Sequence, residues 1–123
     1  MKKTVMLIDD EEDFCFFLKQ NLEATGEFDV VTSSNGTEGA CQVKSIHPDV
    51  VLLDVMMPGI SGADVAAQLK EDTRTRNIPL VFLTAIVAEQ ETQAKHNQIG
   101  GWMYVSKPVK VAELVGLIKQ LTS

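Results

Sequence analysis

The chain has 123 residues, 45% of them hydrophobic, and a formal net charge of −6. That length suits one domain around one core, residues 1–123, and is too short for two. The acidic surplus gives no basis for non-specific nucleic-acid binding, which needs Lys and Arg against phosphates, or for holding an anionic membrane surface.

Met1-Lys2-Lys3 followed by Val5 to Ile8 has the outline of a signal peptide. The apolar run ends at Asp9-Asp10-Glu11-Glu12-Asp13, far short of what a signal peptide requires. No other stretch reaches the roughly 18 apolar residues of a membrane span. The expectation is a cytoplasmic protein with no membrane and no nucleic-acid partner.

In chain order, Thr4 to Ile8 reads as a strand. Glu12 to Thr25 reads as a helix with Phe14, Phe17, Leu18 and Leu22 at helical spacing, stopped by Gly26. Val30 to Thr32 is a short strand, followed by a helix from about Thr37 to Ile46 that Pro48 ends. Asp49 to Leu53 is apolar without alternation, the pattern of a strand covered on both faces. Ala63 to Lys70 sets Val65, Ala66 and Leu69 on one helical face, and Pro79 to Leu83 is again a continuous apolar strand. Ala88 to Ile99 is the weakest helix, polar nearly all round and expected to be marginally held. Trp102 to Ser106 is a fifth strand, and Val111 to Leu121 a last helix offering Leu114, Leu117, Ile118 and Leu121 to the core. Strand–helix units in succession predict an α/β fold with a doubly wound parallel sheet of five strands and helices on both faces.

Cys15 and Cys41 lack CxxC spacing and a nearby His, and are expected to be buried, reduced thiols. His47 and His96 stand in polar segments and read as surface residues.

In open α/β sheets, ligands bind beyond the carboxyl ends of the strands, where the winding reverses. Those ends carry Asp9-Asp10, Asp54, Thr84 and Ser106-Lys107-Pro108, while Ser33, Ser34 and Asn35 end the second strand without a clear message. Clustered carboxylates form a hard, all-oxygen site suited to Mg²⁺. With an ammonium and a hydroxyl beside them, they could stabilise a transferring phosphoryl group, one carboxylate accepting it as an acyl phosphate. Each residue also has a plainer role: the acids could favour a helix N-terminus, Thr84 could cap a helix, and Lys107 could be a solvated charge. Asp54 resists such a reading, because a carboxylate after Val-Val-Leu-Leu is costly to desolvate without a partner. No Ser, Cys or His nucleophile with a base and no GxxxxGK phosphate loop is present.

Leu7-Ile8-Asp9-Asp10-Glu11, Leu53-Asp54-Val-Met-Met57-Pro58-Gly-Ile-Ser-Gly62, Leu83-Thr84-Ala85 and Ser106-Lys107-Pro108 resemble the receiver domains of two-component response regulators. The resemblance covers essentially the whole chain and implies the flavodoxin-like strand order 2-1-3-4-5. It implies that Asp54 accepts phosphate from a sensor histidine kinase or a phosphotransfer protein, and that the protein is a signalling domain and not an enzyme in the ordinary sense. Asp9, Asp10, Asp54 and the main-chain carbonyl of Met56 would hold Mg²⁺. Thr84 and Lys107 would bind phosphoryl oxygens, Tyr104 would move with Thr84 as a switch, and the Lys107–Pro108 bond would be cis. Output would run through contact with a downstream protein, from a monomer or a weak phosphorylation-dependent dimer. The positions two past the acceptor and two past the threonine, Met56 and Ile86, are apolar and cannot orient a water, so slow self-dephosphorylation is expected.

Two rivals can be weighed. A phosphatase working through aspartyl phosphate would want Asp where Met56 stands. A flavin carrier would want a hydroxyl- and glycine-rich loop where Asp9 to Asp13 would repel phosphate.

Overall fold

A computed structural model describes residues 2–57, 59–84, 98–99 and 102–122. The strands are β1 (Lys3–Ile8), β2 (Phe28–Ser33), β3 (Val50–Asp54), β4 (Leu80–Thr84), β5 (Gln98–Ile99) and β6 (Trp102–Ser106). The helices are α1 (Glu12–Ala24), α2 (Gly36–Ile46), α3 (Gly62–Glu71) and α4 (Val111–Thr122).

The sheet order is β2-β1-β3-β4-β6-β5. Its five long strands are parallel and follow the expected 2-1-3-4-5 winding, while the two-residue β5 lies antiparallel on the outer edge of β6. That edge strand corrects the sequence reading. Of the helix expected over 88–99, only the last two residues lie within the described residues, and both are strand.

Strand alternation divides the core into two layers. Val5, Leu7, Val50, Leu52, Val81 and Leu83 face α1 and α4, where Leu18, Leu22, Leu114 and Ile118 meet them. Met6, Ile8, Val51, Leu53 and Phe82 face α2 and α3, against Ala40, Val43, Val65, Ala66 and Leu69. β3 is buried along its whole length, which explains its unbroken apolar run. Removing a buried side chain such as Leu18 should cost about 2–5 kcal/mol.

Helix ends follow local chemistry. Asn35 caps α2 by accepting the Glu38 N–H at 3.0 Å, and Ser61 caps α3 by accepting that of Asp64 at 3.2 Å. Gly26, at φ 78°, takes the left-handed turn that leads from α1 into β2. His47 ends α2 in the left-handed conformation and is exposed; His96 lies outside the described residues.

Two burial expectations fail, both for reasons of helical register. On α1 the core stripe is Cys15, Leu18 and Leu22, so Phe17 is left half-exposed at 46%. On α2 the inward residues are Gly36, Gly39, Ala40 and Val43, so Cys41 is exposed.

Candidate phosphoryl-acceptor site

Register alone brings the acids together. Ile8 pairs with Leu53, so Asp9 and Asp54 leave adjacent strands side by side. Asp54 pairs with Leu83, which puts Thr84 one step further along, and Thr84 pairs with Ser106, just before Lys107. By alternation, Asp9, Asp54 and Lys107 belong to the α1/α4 face, whereas Thr84 and Tyr104 share the parity of the α2/α3 face. The site therefore straddles the sheet edge.

Asp9, Asp10 and Asp54 each offer an oxygen, and these atoms lie within 4.8 Å of one another. Asp9 is fully buried and Asp54 nearly so. The ammonium of Lys107 stands 2.7 Å from Asp9 Oδ2, 2.6 Å from Glu11 Oε1 and 3.8 Å from Asp54 Oδ1. The approach to Asp9 Oδ2 is an ion pair without hydrogen-bond alignment, which leaves that buried oxygen without a directed donor. Asp9 Oδ1 accepts the Glu11 N–H at 2.9 Å, and Asp54 Oδ1 accepts the Met56 N–H at 3.3 Å. Lys107 also lies over the Phe14 ring, 4.5 Å from its centre.

These surroundings set the charge states. Burial, followed by the nearby Asp9 carboxylate, pushes Asp54 up to about 6; Lys107 and the Met56 N–H oppose that shift, and the Asp10 carboxyl adds to it. Burial alone would lower the pKa of Lys107, but the Asp9 and Glu11 carboxylates hold it above its ordinary value. Burial and Asp9 raise the Cys15 thiol to about 11, and its Sγ donates to the Asp9 carbonyl at 3.3 Å.

The backbone around the acids is tightly built. Lys107 N–H donates to the Thr84 carbonyl at 2.9 Å, and the Lys107–Pro108 bond is cis. Gly62 opens α3 against the end of β3, its N–H donating to Val55 O at 3.0 Å. A Cβ at Gly62 would run into the Asp54 carbonyl oxygen, so only glycine lets α3 approach the acid so closely. Thr84 is buried at 2% exposure. Tyr104 stacks on Phe82 with ring centres 5.2 Å apart. Met56 is exposed at 64%, and Ile86 lies outside the described residues.

The model for the response regulator receiver domain matches residues 5–119. The chain belongs to the response regulator receiver family. It is 31% identical to the polar-differentiation response regulator DivK of Brucella ovis, over 97% of this chain and 95% of that protein. A response regulator from Desulfuromonas acetoxidans shares 26% identity at a TM-score of 0.80, covering 97% of this chain and 95% of that one. The chemotaxis protein CheY4 of Vibrio cholerae, 20% identical, superposes at a TM-score of 0.82 over 98% of this chain and 99% of its own, a likeness of fold. Membership places this receiver in two-component signalling and sets aside the phosphatase and flavin-carrier readings. Among the described residues, no helix is long and apolar enough to cross a membrane.

Sequence reasoning put Phe14 in a helical stripe and Glu11 in an acidic run, and gave neither a role at the site, where both touch Lys107. The available signal was arithmetic: several acids around Asp9 and Asp54, and one cation at the strand ends to serve them.

Proposed function

We propose that Asp54 is the phospho-acceptor of this receiver, taking a phosphoryl group from the histidine of a sensor kinase or phosphotransfer protein. An Asp54 oxygen would attack phosphorus as the bond from phosphorus to the donor nitrogen breaks, leaving an acyl phosphate on Asp54 and a free imidazole on the donor. The observation that carries this reading is the convergence of three carboxylate oxygens within 4.8 Å beside one buried-edge lysine.

The nucleophile must be ionised. With its pKa near 6, Asp54 is mostly carboxylate at neutral pH, and Lys107 favours that form. Asp9, Asp10, Asp54 and the Met56 carbonyl would hold Mg²⁺, which fits an all-oxygen donor set whose buried Asp9 Oδ2 has no aligned donor. Bound there, the ion would neutralise charge on the phosphoryl oxygens. Lys107 and the Thr84 hydroxyl would bind the other phosphoryl oxygens. Thr84 and Tyr104 share one face of the sheet, so a shift of Thr84 toward the phosphoryl group would free space for the Tyr104 ring and alter a protein-binding surface. With Met56 turned outward and apolar, no side chain at that position can orient a water, and the acyl phosphate should persist for minutes or longer.

Incubation with acetyl phosphate and Mg²⁺, followed by intact mass, tests the reading. The wild type should gain one phosphate and Asp54→Ala none. A gain that survives in Asp54→Ala overturns the assignment, and decay after donor removal gives the lifetime.

A further inference from the structure

Lys107 does not rest on the acceptor. Its ammonium is 2.6 Å from Glu11 Oε1 and 2.7 Å from Asp9 Oδ2, but 3.8 Å from Asp54 Oδ1. The Phe14 ring of α1, the helix that Glu11 precedes, lies 4.5 Å from the ammonium. Three contacts thus draw the lysine toward β1 and α1, and the weakest of its three carboxylate contacts is the one to the nucleophile. Asp9 is buried and already receives the Glu11 N–H, so it is fixed in place. Glu11 differs: its side chain is 62% exposed, and nothing but Lys107 is recorded at its carboxylate among the described residues.

We propose that Glu11 is a positioning residue whose carboxylate holds Lys107 on the α1 side until a phosphoryl group on Asp54 draws the ammonium across. The inference rests on Asp54 being the acceptor. The phosphoryl group brings oxygens carrying nearly two negative charges, a stronger partner than one solvated carboxylate. Moving Lys107 across onto the phosphoryl group lengthens its contact to Glu11, so that contact opposes the active state. An ion pair with one exposed partner is weak, which suits a latch that must open: its loss should shift the closed state by about twofold to fivefold.

Glu11→Gln removes the charge and the ion pair together, and so confounds the latch with simple repulsion of an anion. Glu11→Asp separates them, because it keeps the charge but shortens the reach by a methylene. The probe is beryllofluoride with saturating Mg²⁺, an anionic mimic of the phosphoryl group, read by ¹⁹F NMR. Mg²⁺ affinity alone is measured in parallel by calorimetry. Both variants should bind beryllofluoride about twofold to fivefold tighter than wild type, with Mg²⁺ affinity of Glu11→Asp unchanged. If Glu11→Asp matches wild type while Glu11→Gln binds tighter, repulsion alone is at work and the latch is wrong. No change in either variant also overturns it. If wild type itself shows no Asp54-dependent binding, the acceptor reading beneath the proposal fails, a result distinct from the other two.

Discussion

At the amino ends of the strands, charges meet one to one. Lys2 faces Asp29 at 3.7 Å, Lys119 faces Glu27 at 2.8 Å, and Lys3 donates to the Thr122 carbonyl at 2.8 Å. The two ion pairs there are about half exposed. At the carboxyl ends, Asp9, Asp54 and Glu11 converge on Lys107 and Asp10 stands beside the first two, with Asp9 and Asp54 out of solvent. Sign, number and burial all differ. One end is a solvated surface in balance, where each pair contributes little. The other sets two buried carboxylates side by side where water screens them poorly, which costs stability in metal-free protein and favours a cation between them.

The largest effect expected from this contrast is a gain in stability on removing an acid from the carboxyl end. In Mg²⁺-free protein at pH 7, Asp54→Asn should raise stability by about 1–3 kcal/mol, and Asp10→Asn should act in the same direction. The pH dependence follows from the raised pKa of Asp54. Between its ordinary value of 3.8 and about 6, the folded protein holds a proton that the unfolded chain has lost. Stability therefore falls as pH rises through that window, and the loss is complete above it. The advantage of Asp54→Asn should be small near pH 4, grow toward pH 6 and then level off. Thermal melts in a chelator across that range check it, and a variant less stable than wild type at pH 7 would show that repulsion is not the dominant force there.

Much of this contrast could be read from the sequence. The unbroken apolar runs at Val50 to Leu53 and Leu80 to Leu83 announced strands covered on both sides, and the acids and lysine fell where such strands stop. The inward faces of α3, with Val65, Ala66 and Leu69, and of α4, with Leu114 and Ile118, were legible too, but that of α1 was not. Phe14, Phe17, Leu18 and Leu22 fit a helical stripe, yet the packed stripe keeps Leu18 and Leu22, holds Phe14 at its margin, takes in Cys15 and leaves Phe17 half-exposed. A smaller cysteine beside the Asp9 carbonyl can fill that space, and propensity says nothing of it. The contact between Lys107 and Glu11 joins residues 96 apart, and no local pattern encodes which acid a long flexible lysine prefers. The edge strand Gln98–Ile99 forms only by pairing with β6, so its polar sequence gave no sign of it.

A second, smaller effect tests whether the carboxyl end is poised for a cation. Mg²⁺ at tenfold its dissociation constant should stabilise the wild type by about 1.4 kcal/mol. Asp54→Asn, with one charged ligand removed and less repulsion to relieve, should gain clearly less. Na⁺ at equal ionic strength should not substitute, since screening reaches buried charges poorly. Equal stabilisation of wild type and variant in the melts would mean that Mg²⁺ acts elsewhere on the acidic surface.

The smallest effect is expected at the amino end, and it matters because it defines the baseline. Lys119 and Glu27 join α4 to the start of β2 at 2.8 Å, which looks like a strong contact. Their side chains remain 53% and 46% exposed, so both charges keep much of their hydration and gain little by meeting. A double-mutant cycle on Lys119→Ala and Glu27→Ala should give a coupling of only about 0.2–1 kcal/mol. Raising NaCl from about 0.1 M to about 1 M shortens the screening length from roughly 10 Å to roughly 3 Å and should erase most of it. The same salt should leave most of the Asp54→Asn gain in place, because Asp54 and the neighbouring Asp9 are buried. If the Lys119–Glu27 coupling proved large and salt-resistant, distance and not burial would govern both ends, and the physical distinction between them would collapse.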